Sequence, residues 1–130
     1  MPLDATDTLA IQDLLNRYCY NADYNPPEAM REVFTPEALW EVPAMGLRCE
    51  GIEAIIAFFT GSRAANPGAR HVISNIVVEG EGDRARASAY LQVVASVNGQ
   101  HTILSFGRYQ DELVRTPAGW RFSHRCVLIG

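Results

Sequence analysis

Arg70-His71-Val72-Ile73-Ser74-Asn75-Ile76-Val77-Val78 reads as a β-strand. β-Branched residues dominate the stretch, Gly68 precedes it, and Gly80 and Gly82 follow it. That is the pattern of a strand bounded by turn residues. The two-residue period of a strand puts His71, Ile73, Asn75 and Val77 on one face. An imidazole and an amide then share a face with aliphatic side chains. His71 has two possible roles there: a core histidine bonded to a backbone carbonyl, or a histidine with a chemical task.

The choice turns on the N-terminal helix. Asp4 or Thr6 can cap it, and Asp7 suits the positive end of its dipole. Ile11, Leu14, Leu15, Tyr18, Cys19 and Ala22 form a 3.6-period apolar stripe, with Asp13, Asn16 and Arg17 opposite. Asp23 falls at the end of this helix beside the stripe. The dipole at a helix C-terminus disfavours a carboxylate. Asp23 is therefore either a solvated helix end or an Asp pointing into a pocket and held by a partner.

The rest of the chain supplies the frame. Asn25-Pro26-Pro27 breaks the first helix and starts a second, which Thr35-Pro36 ends. Leu39-Trp40-Glu41-Val42 is a short strand, and Arg48-Cys49-Glu50-Gly51 leads into a third helix that buries Ile52, Ile55, Ile56 and Phe59. Gly61 to Gly68 reads as loop. From Arg84 to Val97 the chain alternates, with Ala85, Ala87, Ala89, Leu91, Val93, Ala95 and Val97 on one face. Asn98-Gly99 signals a hairpin, Gly107 a bulge or bend in the return strand, and Pro117-Ala118-Gly119 a turn into the last strand. The expected helices lie at about residues 5–24, 27–34 and 51–60, and the strands at about 38–43, 70–79, 84–97, 101–114 and 120–129. This order predicts an α+β fold. Three N-terminal helices pack on a curved, mostly antiparallel sheet and enclose a cone-shaped pocket suited to small apolar ligands.

Composition narrows the function. With 130 residues, 48% hydrophobic and 20% charged, the chain predicts one globular domain spanning 1–130. A net charge of −4 without a basic cluster argues against nucleic acid as a partner. No apolar run approaches the roughly 20 residues of a membrane span, and Met1-Pro2-Leu3-Asp4 does not resemble a signal peptide. Cys19, Cys49 and Cys126 are far apart, which predicts free thiols and a cytoplasmic location.

Three sets of residues carry a family resemblance. Ala10-Ile11-Gln12-Asp13-Leu14-Leu15 runs on to Tyr20-Asn21-Ala22-Asp23 in the opening helix. Phe34-Thr35-Pro36-Glu37-Ala38 is followed by Glu50-Gly51-Ile52-Glu53-Ala54-Ile55. Arg70-His71 and Ser74-Asn75 precede a closing Gly119-Trp120-Arg121-Phe122. In their order and spacing the chain resembles the SnoaL-like branch of the nuclear transport factor 2-like superfamily, and within it the scytalone-dehydratase-like group. The resemblance implies a cystatin-like roll. It also implies that Asp23, at the end of the first helix, pairs with His71, at the start of the strand after the third helix. Scytalone dehydratase carries a second pocket histidine on the next strand, where this chain has Ser88 and Tyr90, so a two-histidine mechanism is not expected.

The pairing makes chemical sense in its own right. A carboxylate bonded to one imidazole nitrogen sets the tautomer, frees the other nitrogen as a base and stabilises the imidazolium. His71 and Asp23 are the expected catalytic residues; Tyr18, Tyr24, Trp40, Asn75 and Phe59 are the expected substrate-binding ones. Arg108 and Arg125 read as surface or interface charges, His101 as a surface residue at a hairpin end, and His124 as a core or interface residue. Glu41, Glu50 and Glu53 lack metal-ligand spacing with any histidine, so no metal is expected. No cofactor is expected either, since proton transfer and elimination use only side chains. The expected activity is that of a dehydratase-like lyase or isomerase acting on a hydrophobic cyclic molecule. The alternative is a non-catalytic ligand-binding or assembly domain like the small subunit of ring-hydroxylating dioxygenases. Apolar residues on both faces of the later strands predict a homodimer through the sheet.

Overall fold

The computed structural model describes all 130 residues. Its elements are α1 (Ala5–Asp23), a 3₁₀ turn (Pro27–Glu32), β1 (Phe34–Val42), β2 (Leu47–Glu50), α2 (Ile52–Ala65), β3 (Ala69–Glu81), β4 (Arg84–Val97), β5 (Gln100–Thr116) and β6 (Gly119–Ile129). The strands form one six-stranded sheet in the order β2-β1-β6-β5-β4-β3. The β1–β6 pair is parallel and the others are antiparallel. The α+β architecture is as expected: helical segments on one face of a curved, mostly antiparallel sheet.

Helix α1 forms as its sequence dictates. Asp4 Oδ1 accepts the Asp7 N–H at 2.8 Å, which occupies one of the free donors of the first turn. All six residues of the expected stripe are buried against the sheet. They join a 25-residue core with Met30, Phe34, Trp40, Ile55, Phe59, Leu91, Tyr109 and Phe122.

Several boundaries need correction. The second helix is a six-residue 3₁₀ turn. Between Pro26-Pro27 and an extended Phe34 there are too few residues to stabilise an α-helical nucleus. Thr35 and Pro36 belong to β1. Pro36 lacks an N–H for a ladder, and it lies where the β1–β6 register shifts between Phe34 and Leu39. Leu47–Glu50 is an edge strand rather than a lead-in; Gly46, at φ +65°, makes the left-handed reversal that folds it back on β1. Helix α2 continues through Gly61 to Ala65, so most of the expected loop is helical. One exposed glycine costs a helix about 1 kcal/mol, which the buried face before it outweighs.

Three bulges reset which residues face inward. Asn75 adopts φ +57° where β3 slips against β4 between Ser74 and Val77. His71 and Ile73 face the helices, but beyond the bulge Ile76 and Val78 do so, and Asn75 and Val77 are exposed. A second bulge lies at Leu104 in β5 rather than at Gly107. Gly107 instead permits close approach: a Cβ there would stand 2.1 Å from the Leu128 carbonyl oxygen. The third, at Ser123, places Phe122 and Val127 on the same inner side, not on opposite faces as strict alternation predicts. Asn98 and Gly99, at φ +52° and +77°, form the expected hairpin turn. No helix is long and apolar enough to cross a membrane.

Candidate active site

Between the helices and the inner face of the sheet lies a cavity of about 440 Å³, within the size range of small-molecule sites. Tyr18 and Asp23 reach it from α1, Trp40 and Val42 from β1, and Phe58 and Phe59 from α2. His71, Leu91, Val93, Tyr109 and Val127 line its sheet side.

Asp23 and His71 meet there. Asp23 Oδ2 accepts the His71 backbone N–H at 2.8 Å, and Oδ1 lies 2.7 Å from His71 Nδ1. Both carboxylate oxygens therefore hold one residue, which sets the ring's position as well as its orientation. The Asp23 side chain is 6% exposed and the His71 side chain 19%. With Asp23 ionised, Nδ1 carries the ring proton and Nε2 presents a lone pair. Nε2 makes no hydrogen bond within the protein, and the edge of the ring packs against Tyr18. The carboxylate at the end of α1, unfavourable for the dipole, is explained by these two bonds.

Arg63 completes this corner. Its Nη2 donates to the carbonyl oxygens of Asn21 and Ala22 at 2.6 and 2.9 Å, and its Nε to Ala22 at 3.2 Å. A cation thus occupies the negative end of the α1 dipole, next to Asp23. Sequence reasoning missed Arg63 because its segment reads as loop.

The far wall is aromatic. Trp40 Nε1 donates to the Tyr18 hydroxyl at 3.0 Å. Burial pushes the Tyr18 phenol up to about 12, although nearby Arg125 pulls it down. Tyr109 is raised well above its ordinary value, again chiefly by burial. Burial also takes the Cys19 thiol to about 11, so the thiol is a core group bonded to the Leu15 carbonyl.

Arg125 corrects an expectation. It is fully buried, not a surface or interface charge. Its guanidinium lies 3.5 Å from the Tyr109 ring centroid, 4.2 Å from that of Tyr18 and 4.4 Å from that of Phe122. Asp111, directly opposite on β5, accepts from Nε at 2.8 Å and from Nη2 at 3.1 Å. Burial raises the Asp111 pKa even against this cation. Burial also opposes the charge on Arg125, but Asp111 offsets it, and the neutral Tyr109 and Tyr18 rings present their faces to the cation. The pair sits behind Tyr18 and Tyr109 and supports the wall they form. Alternation along Gly107, Tyr109, Asp111 and Leu113 was the available signal, but the Ser123 bulge hides the register that joins Asp111 to Arg125.

Of the expected ligand-binding residues, Tyr18, Trp40 and Phe59 line the cavity. Tyr24 and Asn75 do not. Tyr24 is exposed, and its hydroxyl accepts the Arg70 Nε–H at 2.6 Å on the outside of the dyad. Asn75 is turned to solvent by its bulge. Arg108 and His101 are exposed, and His124 is half-buried on the outer sheet face, with Nε2 2.5 Å from Glu41. The three thiols are free.

A model of the SnoaL-like domain family matches residues 4–126. The chain belongs to the SnoaL-like family. An uncharacterised protein of Mycobacterium tuberculosis is 30% identical to this SnoaL-like chain, over 94% of the chain and 84% of the relative. The small subunit of anthranilate 1,2-dioxygenase from Burkholderia cepacia is 27% identical, over 88% and 81%. Among solved structures, a nuclear transport factor 2-like protein with a cystatin-like fold from Novosphingobium aromaticivorans superposes with a TM-score of 0.88 at 29% identity, over 95% of this chain and 82% of that one. A candidate scytalone dehydratase from the same organism gives 0.83 at 21% identity, over 96% and 85%, and shares the fold. The resemblance read from the opening helix, the Arg70-His71 strand and the closing Gly-Trp stretch is borne out.

Proposed function

We propose that this chain is a dehydratase-like lyase or isomerase that takes a proton from carbon on a hydrophobic cyclic small molecule. The observation that carries this reading is the clamp of both Asp23 oxygens on His71 beside an apolar cavity. His71 Nε2 takes the proton from a carbon next to a carbonyl or a leaving group. The electron pair left behind either expels a hydroxyl, which takes the proton from the His71 imidazolium and departs as water, or shifts along the ring so that the same proton returns to a different carbon. Asp23 holds Nδ1–H and stabilises the imidazolium. Tyr18, Trp40 and Phe59 hold the ring of the ligand. These steps use side chains alone, so the proposal includes no cofactor. Each chain folds as a single domain and works in the cytoplasm, where its three thiols stay reduced.

A thermal-shift screen of hydrophobic cyclic compounds identifies candidate substrates, since a saturating ligand raises stability. With a substrate in hand, Asp23→Asn and His71→Ala should each lower turnover by about 10²-fold or more. The double variant should lose little beyond the worse single one, because the two act as a unit. Unchanged turnover per folded molecule alongside a lowered melting temperature would make the pair purely structural and end the proposal.

The likeness to the anthranilate dioxygenase small subunit favours a second reading, a non-catalytic assembly subunit. A chain that is stable alone and purifies without an iron–sulfur partner supports the enzyme. One that is insoluble until such a partner is supplied supports the subunit. We further propose a homodimer through the outer sheet face, where Val72, Tyr90, Ile103 and Phe106 are each about half exposed.

A further inference from the structure

Asp23, Arg63 and Arg70 are the charged side chains that line the cavity. With His71 neutral, a chain of net charge −4 has therefore given this apolar cavity a formal charge of +1. Asp23 is occupied by His71 through both oxygens. Arg70 is tied to the rim: its Nε donates to the Tyr24 hydroxyl, its Nη1 to the Ala69 carbonyl, and its guanidinium lies 4.2 Å from the centroid of the exposed Tyr24 ring. Its Nη2 makes no hydrogen bond, but the group is held on the outside of the dyad by that exposed ring. Arg63 is held instead by the end of a helix. Nε and Nη2 are bound to the last carbonyls of α1, whereas Nη1 makes no hydrogen bond and is accessible. Helix α2 and the α1 carbonyls thus hold a guanidinium at the cavity with one N–H₂ to spare. A preorganised donor of this kind suits an anionic oxygen, because the bond is charge-assisted and the side chain is already immobilised.

From this geometry we infer that the ligand is a monoanion, an apolar ring body carrying one carboxylate or similar anionic oxygen group, and that Arg63 selects it through Nη1. The inference rests on the small-molecule reading above and adds the charge of the ligand. Arg63 is a specificity-determining residue in this scheme. Nε and Nη2 offset the negative end of the α1 dipole, so the anion meets the guanidinium through Nη1 and the ring is presented to His71 with its charged group anchored. An enolate-like charge developing beside the acid would fall within the same cationic corner.

Calorimetric titration of 2-naphthoate against methyl 2-naphthoate and 2-naphthol tests this on the whole chain. At a pH where the acid is ionised and the naphthol neutral, the naphthoate should bind about tenfold tighter or more. Arg63→Gln should abolish that preference, so that acid and ester bind alike. Arg63→Lys should keep part of the preference, and Arg70→Gln all of it. Should Arg63→Gln fail to fold, the wild-type comparison and the Arg63→Lys and Arg70→Gln arms still decide. Equal affinity of acid and ester would overturn the inference and leave the apolar-ligand reading standing. A preference that follows Arg70 would overturn the assignment to Arg63. Binding of none of the three probes would count against both readings.

Discussion

At the scale of single residues, the buried Asp111–Arg125 pair and the dyad are built differently. The dyad joins a carboxylate to a group that can be neutral, and it stays at the edge of a cavity. Asp111 and Arg125 side chains are both 0% exposed, and a guanidinium cannot shed its charge. Asp111→Asn leaves Arg125 charged and unpaired, and should destabilise the fold by about 3–5 kcal/mol in urea unfolding. Arg125→Met should cost less, because Asp111, already raised by burial, can take up a proton. If the Asp111 variant proves the milder of the two, this account of the pair is wrong. Tyr18 gives a pH dependence. Its phenol keeps its proton to about 12 in the folded state, against 10.0 in the unfolded chain. The unfolded state therefore ionises first. The stability present below pH 10 falls as pH rises towards 12, by a contribution on the order of 3 kcal/mol. Ultraviolet titration should show Tyr18 ionising with unfolding rather than before it. Tyr18→Phe should soften the alkaline loss, and an unchanged alkaline midpoint in that variant would contradict the assignment.

At the scale of elements, the informative departures are the extra turn of α2 and the three bulges. The last turn of α2 matters because it delivers Arg63 to the end of α1. Gly61 is its weak point. A Cβ there would meet nothing within 4 Å, so Gly61→Ala should stabilise the chain by about 0.5–1 kcal/mol, read as a higher urea midpoint at constant slope. A loss of stability would mean that the turn needs the freedom of glycine. The bulges explain why alternation identified the inward face of β4 but misassigned those of β3 and β6. Each inserts one residue, and one residue of slip moves all that follow to the other face. Asn75 left the site for that reason.

At the scale of the whole molecule, the outer sheet face leaves Val72, Tyr90 and Phe106 half exposed on three neighbouring strands, with Ile103 beyond the Leu104 bulge. Trp120, Phe122 and Val127 are inside, so this patch is smaller than strict alternation predicts. A homodimer there should bury about 1,000 Å² or more in total. Light scattering at micromolar concentration should return twice the 14.4 kDa of the chain, and Phe106→Arg should return it to the monomer. A wild-type monomer at that concentration would remove the homodimer from consideration. If the variant remained dimeric, the contact would have to lie on another surface.

Local chemistry determined much of this protein in advance. The apolar stripe and Asp4 cap of α1, the alternation of β4 and the Asn98-Gly99 turn specify their elements through backbone period and turn sterics, which depend only on near neighbours. An Asp beside the stripe at a helix end and a His opening a strand were visible as misplaced polar groups. The tertiary structure alone decided what they meet. The 2.7 Å approach of Asp23 to His71 joins residues 48 apart in sequence. The Arg63 contacts with the end of α1 and the Arg125 stack on Tyr18 and Tyr109 likewise depend on how helices lie on a bulged sheet. Register and packing are properties of several segments at once, and no one segment encodes them.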